Sequence, residues 1–219
     1  MKAAPVALLA DTPRAVPALP AEEVHLWWMN NAPDQLTRCR LLADYAGVAP
    51  ASLAFAAGPF GKPALTAPPQ AAGLHFSVSR SGGVAVLAVA RGGRVGVDVA
   101  ALRPVPEAAL IARRLFSPAE AAALAALPDT ARLAGFYRLW TCKEAVVKAL
   151  GGGLSIPLDA FEVEHRADHP PALRSWRLPG GGPQPLRLLP VPAMPGHALA
   201  LAADAPIQRC RLFHWPAAG

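Results

Sequence analysis

Read for its alternation of apolar and polar positions, the chain begins with strands. V-A-L-L-A at 6–10 and V-H-L-W-W-M at 24–29 are short apolar runs on either side of a proline-rich turn, and each predicts a strand. Over 34–46 the apolar Leu36, Leu41, Leu42 and Tyr45 recur at helical spacing, with Gly47 placed to cap the helix end. L-H-F-S-V-S-R-S at 74–81 alternates, turns at Gly82 and Gly83, and leads into V-A-V-L-A-V-A at 84–90, an unbroken apolar run that predicts a strand covered on both faces. R-G-G-R at 91–94 then feeds V-G-V-D-V at 95–99, and the pattern predicts a hairpin between these two runs.

A helical stretch follows. Ser117, Pro118 and Glu120 stand at the spacing of a capping box, so a helix is expected to start there. A second helix is predicted from Asp129 or Thr130 to the triple glycine at 151–153. Strands are predicted again at 156–165, 175–178 and 197–203, and the basic, aromatic tail R-C-R-L-F-H-W reads as a terminal strand. Strands, then helices, then strands, without strict alternation, predict an α+β fold.

Composition narrows the setting. The 219 residues allow one large domain or two small ones sharing a core, and 53% hydrophobic against 16% charged residues excludes wholesale disorder. No apolar run approaches the ~18 residues of a spanning helix, so no membrane span is expected. The opening M-K-A-A-P-V-A-L-L-A, broken at Pro5, reads as a first strand rather than a signal peptide. Cys39, Cys142 and Cys210 are odd in number and form no C-x-x-C unit, which points to a reducing, cytoplasmic setting. The net charge of +6 calls for a polyanionic partner: nucleic acid, an acidic protein or a phosphate-rich small molecule. Only Lys2, Lys62, Lys143 and Lys148 among the 21 basic residues are lysines, and three of the four fall within short motifs.

Asp98 carries a carboxylate inside an apolar strand, which costs several kcal/mol unless a partner compensates it. A turn cap or an arginine partner is the plain explanation. The neighbouring Gly96 leaves room for a ligand or another strand to approach. Trp140, Glu144 and Lys148 recur every four residues and form one helix stripe, whose plain reading is a Glu-to-Lys pair worth ~0.3–0.5 kcal/mol. A strand Asp plus a helix Glu would also make a two-carboxylate cage for Mg²⁺, an ion that completes its shell with water and substrate phosphates. A lysine one turn beyond would neutralise phosphate charge. Together these residues point to phosphoryl or pyrophosphate chemistry.

In chain order, G-K-P at 61–63, F-S-V-S-R-S at 76–81, V-G-V-D-V at 95–99, R-R-L-F-S-P-A-E at 113–120, F-Y-R-L-W-T-C-K-E-A-V-V-K-A-L-G-G-G-L at 136–154 and the S-I-P-L-D-A-F-E-V that follows form a recognisable series. The series resembles the 4′-phosphopantetheinyl transferases of the surfactin-synthetase-activating type. That resemblance implies a pseudo-twofold fold of two similar halves, 1–105 and 106–219, with the active site between them. It implies transfer of the phosphopantetheine arm of coenzyme A to a serine of an acyl or peptidyl carrier protein, releasing adenosine 3′,5′-bisphosphate. Asp98 and Glu144 are then expected to hold Mg²⁺, and Glu144 to help deprotonate the serine. Lys148, Ser79 and Arg80 are expected at the pyrophosphate, Lys62 at the 3′-phosphate, and Arg38 or Arg40 at the nucleotide. The loop 100–112 is expected to contribute to the carrier contact. The resemblance implies a monomer whose partners are coenzyme A and an acyl or peptidyl carrier protein, without nucleic acid or membrane.

The chain departs from the family pattern at three points: Arg80 stands for a histidine, Ser77 for an asparagine, and Ala100 for a further carboxylate. Arginine contacts phosphate bidentately but does not titrate as histidine does. Arg80 and Ala100 motivate an alternative, a non-catalytic coenzyme A or carrier-protein binding module. The net charge motivates a third, salt-sensitive nucleic-acid binding. Glu120 reads as a capping residue and Cys142 as a small apolar filler. His165 and His169, in proline-rich surroundings, do not read as a zinc site.

Overall fold

The computed structural model describes residues 7–8, 15–30, 35–164, 169–177, 186–192, 194–204 and 206–215. Its elements are β1 (Ala7–Leu8), β2 (Glu23–Asn30), α1 (Gln35–Ala46), β3 (Ala54–Ala57), β4 (Pro63–Ala67), β5 (Leu74–Ser81), β6 (Val84–Arg91) and β7 (Val95–Ala101). There follow α2 (Ala108–Leu115), α3 (Pro118–Ala125), α4 (Asp129–Leu150), β8 (Phe161–Glu164), β9 (Ala172–Trp176), β10 (Leu186–Leu189), β11 (His197–Asp204) and β12 (Arg209–Trp215). The fold is α+β. Its first sheet has the order β1-β12-β2-β6-β5 and its second the order β10-β11-β7; β3–β4 and β8–β9 are separate hairpins. None of the described helices is long and apolar enough to cross a membrane.

Side-chain alternation stacks these elements in layers. Val24, Leu26, Val86 and Ala88 of the first sheet meet Val95, Val97, Val99 and Leu201 of the second in a core between the sheets. The opposite face of the first sheet presents Trp27, Met29, Leu87 and Phe213 to Leu41, Leu42 and Tyr45 of α1. On the outer face of the second sheet the small Ala200 and Ala202 allow Leu139, Ala145, Val146 and Ala149 of α4 to settle close. Gly47 ends α1 at φ +66°, with its own N–H bonded to the Asp44 carbonyl and that of Val48 to the Ala43 carbonyl, the paired bonds of a Schellman cap. Gly151 ends α4 in the same left-handed region, at φ +75°.

Three expectations are revised. The run 84–90 forms no hairpin with 95–99, because both edges of β6 are taken by β2 and β5, and β7 crosses to pair with β11 instead. The hairpin that does form is β5–β6, turning through Gly82 and Gly83, both at positive φ. Residues 108–112 of the expected 100–112 loop belong to α2. The strand expected at 156–165 begins only at Phe161, since Pro157 opens a short 3₁₀ turn over Leu158–Ala160. Residue 165, residue 178 and all but 7–8 of the first predicted strand lie outside the described residues.

Candidate active site

Strand β7 shows the two faces of a pleat with different chemistry. Val95, Val97 and Val99 face the inter-sheet core, so Gly96 and Asp98 face α4. A Cβ at position 96 would lie 2.1 Å from the Ala145 carbonyl oxygen and 2.2 Å from the Ala149 nitrogen. The close neighbour that Gly96 accommodates is therefore the backbone of α4, where a ligand or a strand was expected. That approach brings Lys148 to Asp98, Nζ to Oδ1 at 2.6 Å. Ser79 Oγ donates to the same oxygen at 2.8 Å and accepts from Lys148 Nζ at 3.0 Å. Burial pushes the Asp98 carboxyl above the usual carboxylate range, against the downward pull of Lys148 and Ser79.

The helix pair that spacing alone favoured does not form, because Lys148 turns to Asp98. Among the described residues Glu144 makes no hydrogen bond or ion pair. Burial, and then the negative charge of Asp98, raise its proton affinity, while Lys148 lowers it. Glu144 opens on a cavity of about 500 Å³ also lined by Lys62, Trp140 and Lys148. A second cavity, about 430 Å³, is lined by Asp98, Ser79, Arg80 and Arg38. Val78, Trp140 and Lys148 line both, so the two spaces adjoin there, with Glu144 on the larger and Asp98 on the smaller. No group of three or more His, Cys, Asp or Glu side chains converges among the described residues. The donor set on offer is two carboxylates within each other's field, one of them without a protein partner, which fits a hard cation that keeps water and substrate oxygens in its shell.

The other predicted site residues divide. Arg80 is exposed on the α1-facing side of β5, and Arg38 of α1 joins it at the smaller cavity, its Nε buried without a partner among the described residues. Arg40, exposed on α1, lines neither cavity. Lys62 lines the larger cavity, but its Nζ donates to the Val95 carbonyl at 3.0 Å and the Ala149 carbonyl at 3.2 Å, tying β7 to the last turn of α4. Burial, and secondarily the Arg94 charge, bring its pKa down to about 8. Cys142 is fully enclosed and its thiol is pushed up to about 12 by burial, as suits an apolar filler.

Two features escaped the sequence reading. Lys143, beside Glu144 in the chain, is completely buried and donates to Glu120 Oε2 at 2.8 Å and to the Leu158 and Phe161 carbonyls at 2.7 Å each. Glu120 closes the capping box with the Ser117 N–H and accepts from the Val163 N–H, so its structural assignment stands. The second feature is a ladder of hydroxyls: Ser77, Ser79 and Ser81 accept the N–H groups of Val97, Val99 and Ala101 at 3.0–3.2 Å. The period-two serines were visible in F-S-V-S-R-S; the strand edge they serve was not.

Comparison with known proteins places these residues in company. Residues 94–202 match the family model of the 4′-phosphopantetheinyl transferase superfamily. The chain is 36% identical over 141 residues to the 4′-phosphopantetheinyl transferase HetI of Nostoc sp. strain PCC 7120, covering 63% of this chain and 59% of that protein. It is 37% identical over 135 residues to a 4′-phosphopantetheinyl transferase of Bacillus subtilis (62% and 57%), and 35% over 114 residues to the Sfp enzyme of B. subtilis strain 168 (52% and 48%). The chain thus spans about half the length of the curated relatives it matches.

Proposed function

We propose that this chain, whose residues 94–202 belong to the 4′-phosphopantetheinyl transferase superfamily, moves the phosphopantetheine arm of coenzyme A onto a carrier-protein serine. One observation carries the reading: Asp98, Lys148 and Ser79 are bonded together where two cavities adjoin, and Glu144, without a bonded partner among the described residues, stands within the field of Asp98. In the reaction the serine oxygen forms a bond to the β-phosphorus of the pyrophosphate. The bond from that phosphorus to the bridging oxygen breaks, and adenosine 3′,5′-bisphosphate leaves. Glu144, with its raised proton affinity, takes the serine proton. Lys148 uses two of its donors on Asp98 and Ser79 and offers the remaining one to phosphate oxygens as charge develops on the leaving group. Arg38 and Arg80 neutralise the phosphates on the side of the smaller cavity, Lys62 lies toward the 3′-phosphate, and Arg40 lends long-range positive field. Asp98 and Glu144 would hold Mg²⁺, which supplies Lewis-acid neutralisation of pyrophosphate charge when bound.

The two sheets support a pseudo-twofold relation between halves 1–105 and 106–219. In chain order a strand, a helix, a hairpin and two further strands occur twice, as β2, α1, β3–β4, β5, β6 and as β7, α4, β8–β9, β10, β11, with sheet orders β2-β6-β5 and β7-β11-β10; the second series opens with β7, which lies within 1–105. The halves interlock, since β7 joins the second sheet and β12 the first. Because one chain supplies both walls of the site, the protein is read as a monomer. Three free cysteines agree with a reducing cytoplasm. The segment running from residue 100 into α2 is the surface read as meeting the carrier.

A second reading, a non-catalytic binding module, draws on Lys148 already occupying Asp98 and on Ala100 standing in place of a carboxylate. Mass spectrometry of a panel of apo carrier proteins incubated with the protein, coenzyme A and Mg²⁺ separates the two. A carrier gaining the mass of one phosphopantetheine arm is the expected result. Carriers that bind but stay unmodified would favour the module.

A further inference from the structure

Strand β7 is the edge of its sheet, and the edge not paired with β11 is satisfied by side chains. The N–H groups of Val97, Val99 and Ala101 donate to Ser77, Ser79 and Ser81 at 3.1, 3.2 and 3.0 Å. The three serines make the same backbone bond, but only Ser79 also reaches a site residue. A hydroxyl has one proton and two lone pairs. At Ser79 the proton goes to Asp98 Oδ1, and the lone pairs take the Val99 N–H and Lys148 Nζ. The residue is 6% exposed. Nothing of this hydroxyl remains for a phosphate oxygen unless one of those bonds breaks.

We propose that Ser79 is a positioning residue for the Asp98 carboxylate, and not a ligand of the pyrophosphate as the family resemblance implies. Ser79 and Lys148 converge on the same carboxylate oxygen, which fixes the rotation of the carboxylate and the direction in which it meets a cation. The hydroxyl also spaces the lysine from the strand, so one side chain sets the cation ligand and the phosphate donor together. This assignment rests on the function proposed above.

The test uses the full chain as wild type, Ser79→Ala, Ser79→Thr and Ser81→Ala, with three readouts: thermal unfolding, calorimetric titration with Mg²⁺ alone, and calorimetric titration with coenzyme A in EDTA. Loss of a group that orients a metal ligand costs about 10- to 100-fold in metal affinity, and Ser79→Ala is expected to weaken Mg²⁺ in that range. Its coenzyme A affinity in EDTA should stay near wild type, and Ser79→Thr, which keeps the hydroxyl, should recover most of the Mg²⁺ affinity. Ser81→Ala removes an equivalent ladder bond and should lower the unfolding temperature without the Mg²⁺ effect. Should Ser79→Ala fail to fold, Ser79→Cys, similar in size with a weak donor, carries the same comparison. A coenzyme A affinity that falls in EDTA as far as the Mg²⁺ affinity does would make Ser79 a phosphate ligand. An equal Mg²⁺ loss in Ser81→Ala would assign the effect to the strand edge. Either overturns the proposal, as does a wild type that takes no Mg²⁺. A wild type that modifies carriers while Ser79→Ala titrates Mg²⁺ normally defeats this inference alone; one that binds Mg²⁺ but neither binds coenzyme A nor modifies any carrier defeats the functional reading.

Discussion

Helix α4 carries two lysines five residues apart, roughly 140° around its axis, and each meets a carboxylate. Lys143 and Glu120 form a closed pair. All three lysine protons are placed, on Glu120, Leu158 and Phe161, and the glutamate accepts from Ser117 and Val163 besides. Its ammonium also lies 4.5 Å from the centre of the Phe161 ring. Lys148 and Asp98 form an open pair: the lysine side chain keeps 30% exposure, spends two donors, and lines both cavities. The chemistry of the two pairs is the same. What separates a structural pair from one available to a ligand is whether the protein has already used every donor and acceptor.

The comparison breaks most visibly at the open end. Asp98→Ala or Glu144→Ala should lower the rate of carrier modification by roughly 10²- to 10⁴-fold while the protein still unfolds cooperatively near the wild-type temperature. Near-normal rates in both would remove them from the chemistry.

The two lysine pairs should respond in opposite ways. Glu120→Ala strands a buried ammonium and should cost about 3–5 kcal/mol in denaturant unfolding, with the rate per folded molecule kept. Lys148→Ala should cost less stability than Glu120→Ala, because Asp98 keeps its Ser79 hydrogen bond and burial already favours its neutral form, and should slow transfer by roughly 10²- to 10³-fold, the range for removing one donor to developing charge. A Lys148→Ala protein with lost stability and normal rate would make the open pair structural too.

The smallest effect sharpens the picture at Lys62, a half-buried amine that has carbonyl partners and, among the described residues, no carboxylate bonded to it. Its pKa is about 8 in the fold, against 10.5 for an ordinary lysine, because burial and Arg94 disfavour the charge while Asp204 favours it. Between those values the unfolded chain holds the proton and the folded one does not, so stability rises with pH across the window; below pH 8 the cost of the buried charge is paid in full. Wild type should therefore gain stability relative to Lys62→Met as pH rises from 8 to 10.5 in denaturant titrations. A difference that is flat with pH would refute the buried-charge account.

Much of the local structure was legible. The Ser117–Glu120 capping box, the glycine ends of α1 and α4, the Gly82–Gly83 turn and the covered strand β6 each depend on residues near one another in the chain. The site was legible in its membership and less so in its bonding: Asp98, Glu144 and Lys148 were singled out, but the expected helix pair gave way to a bond across 50 residues. Lys143 stood out only as a rare lysine within a motif; its burial and bonding carried no signal, because nothing nearby in the chain shows that Leu158 and Phe161 turn their carbonyls toward it. Of Arg38 and Arg40, only the orientation of α1 against β5 decides which reaches the cavity.

By itself the sequence determined where α1 and α4 stop and where α3 starts, though not that α2 exists, and it marked the covered strand β6 and the few residues that carry chemistry, since these follow from short-range sterics, periodicity and desolvation. Only the tertiary structure decided which strand edge β7 would take and which lysine would be closed off. Those outcomes are competitions among distant donors and acceptors, settled when two sheets and a helix come within hydrogen-bonding reach.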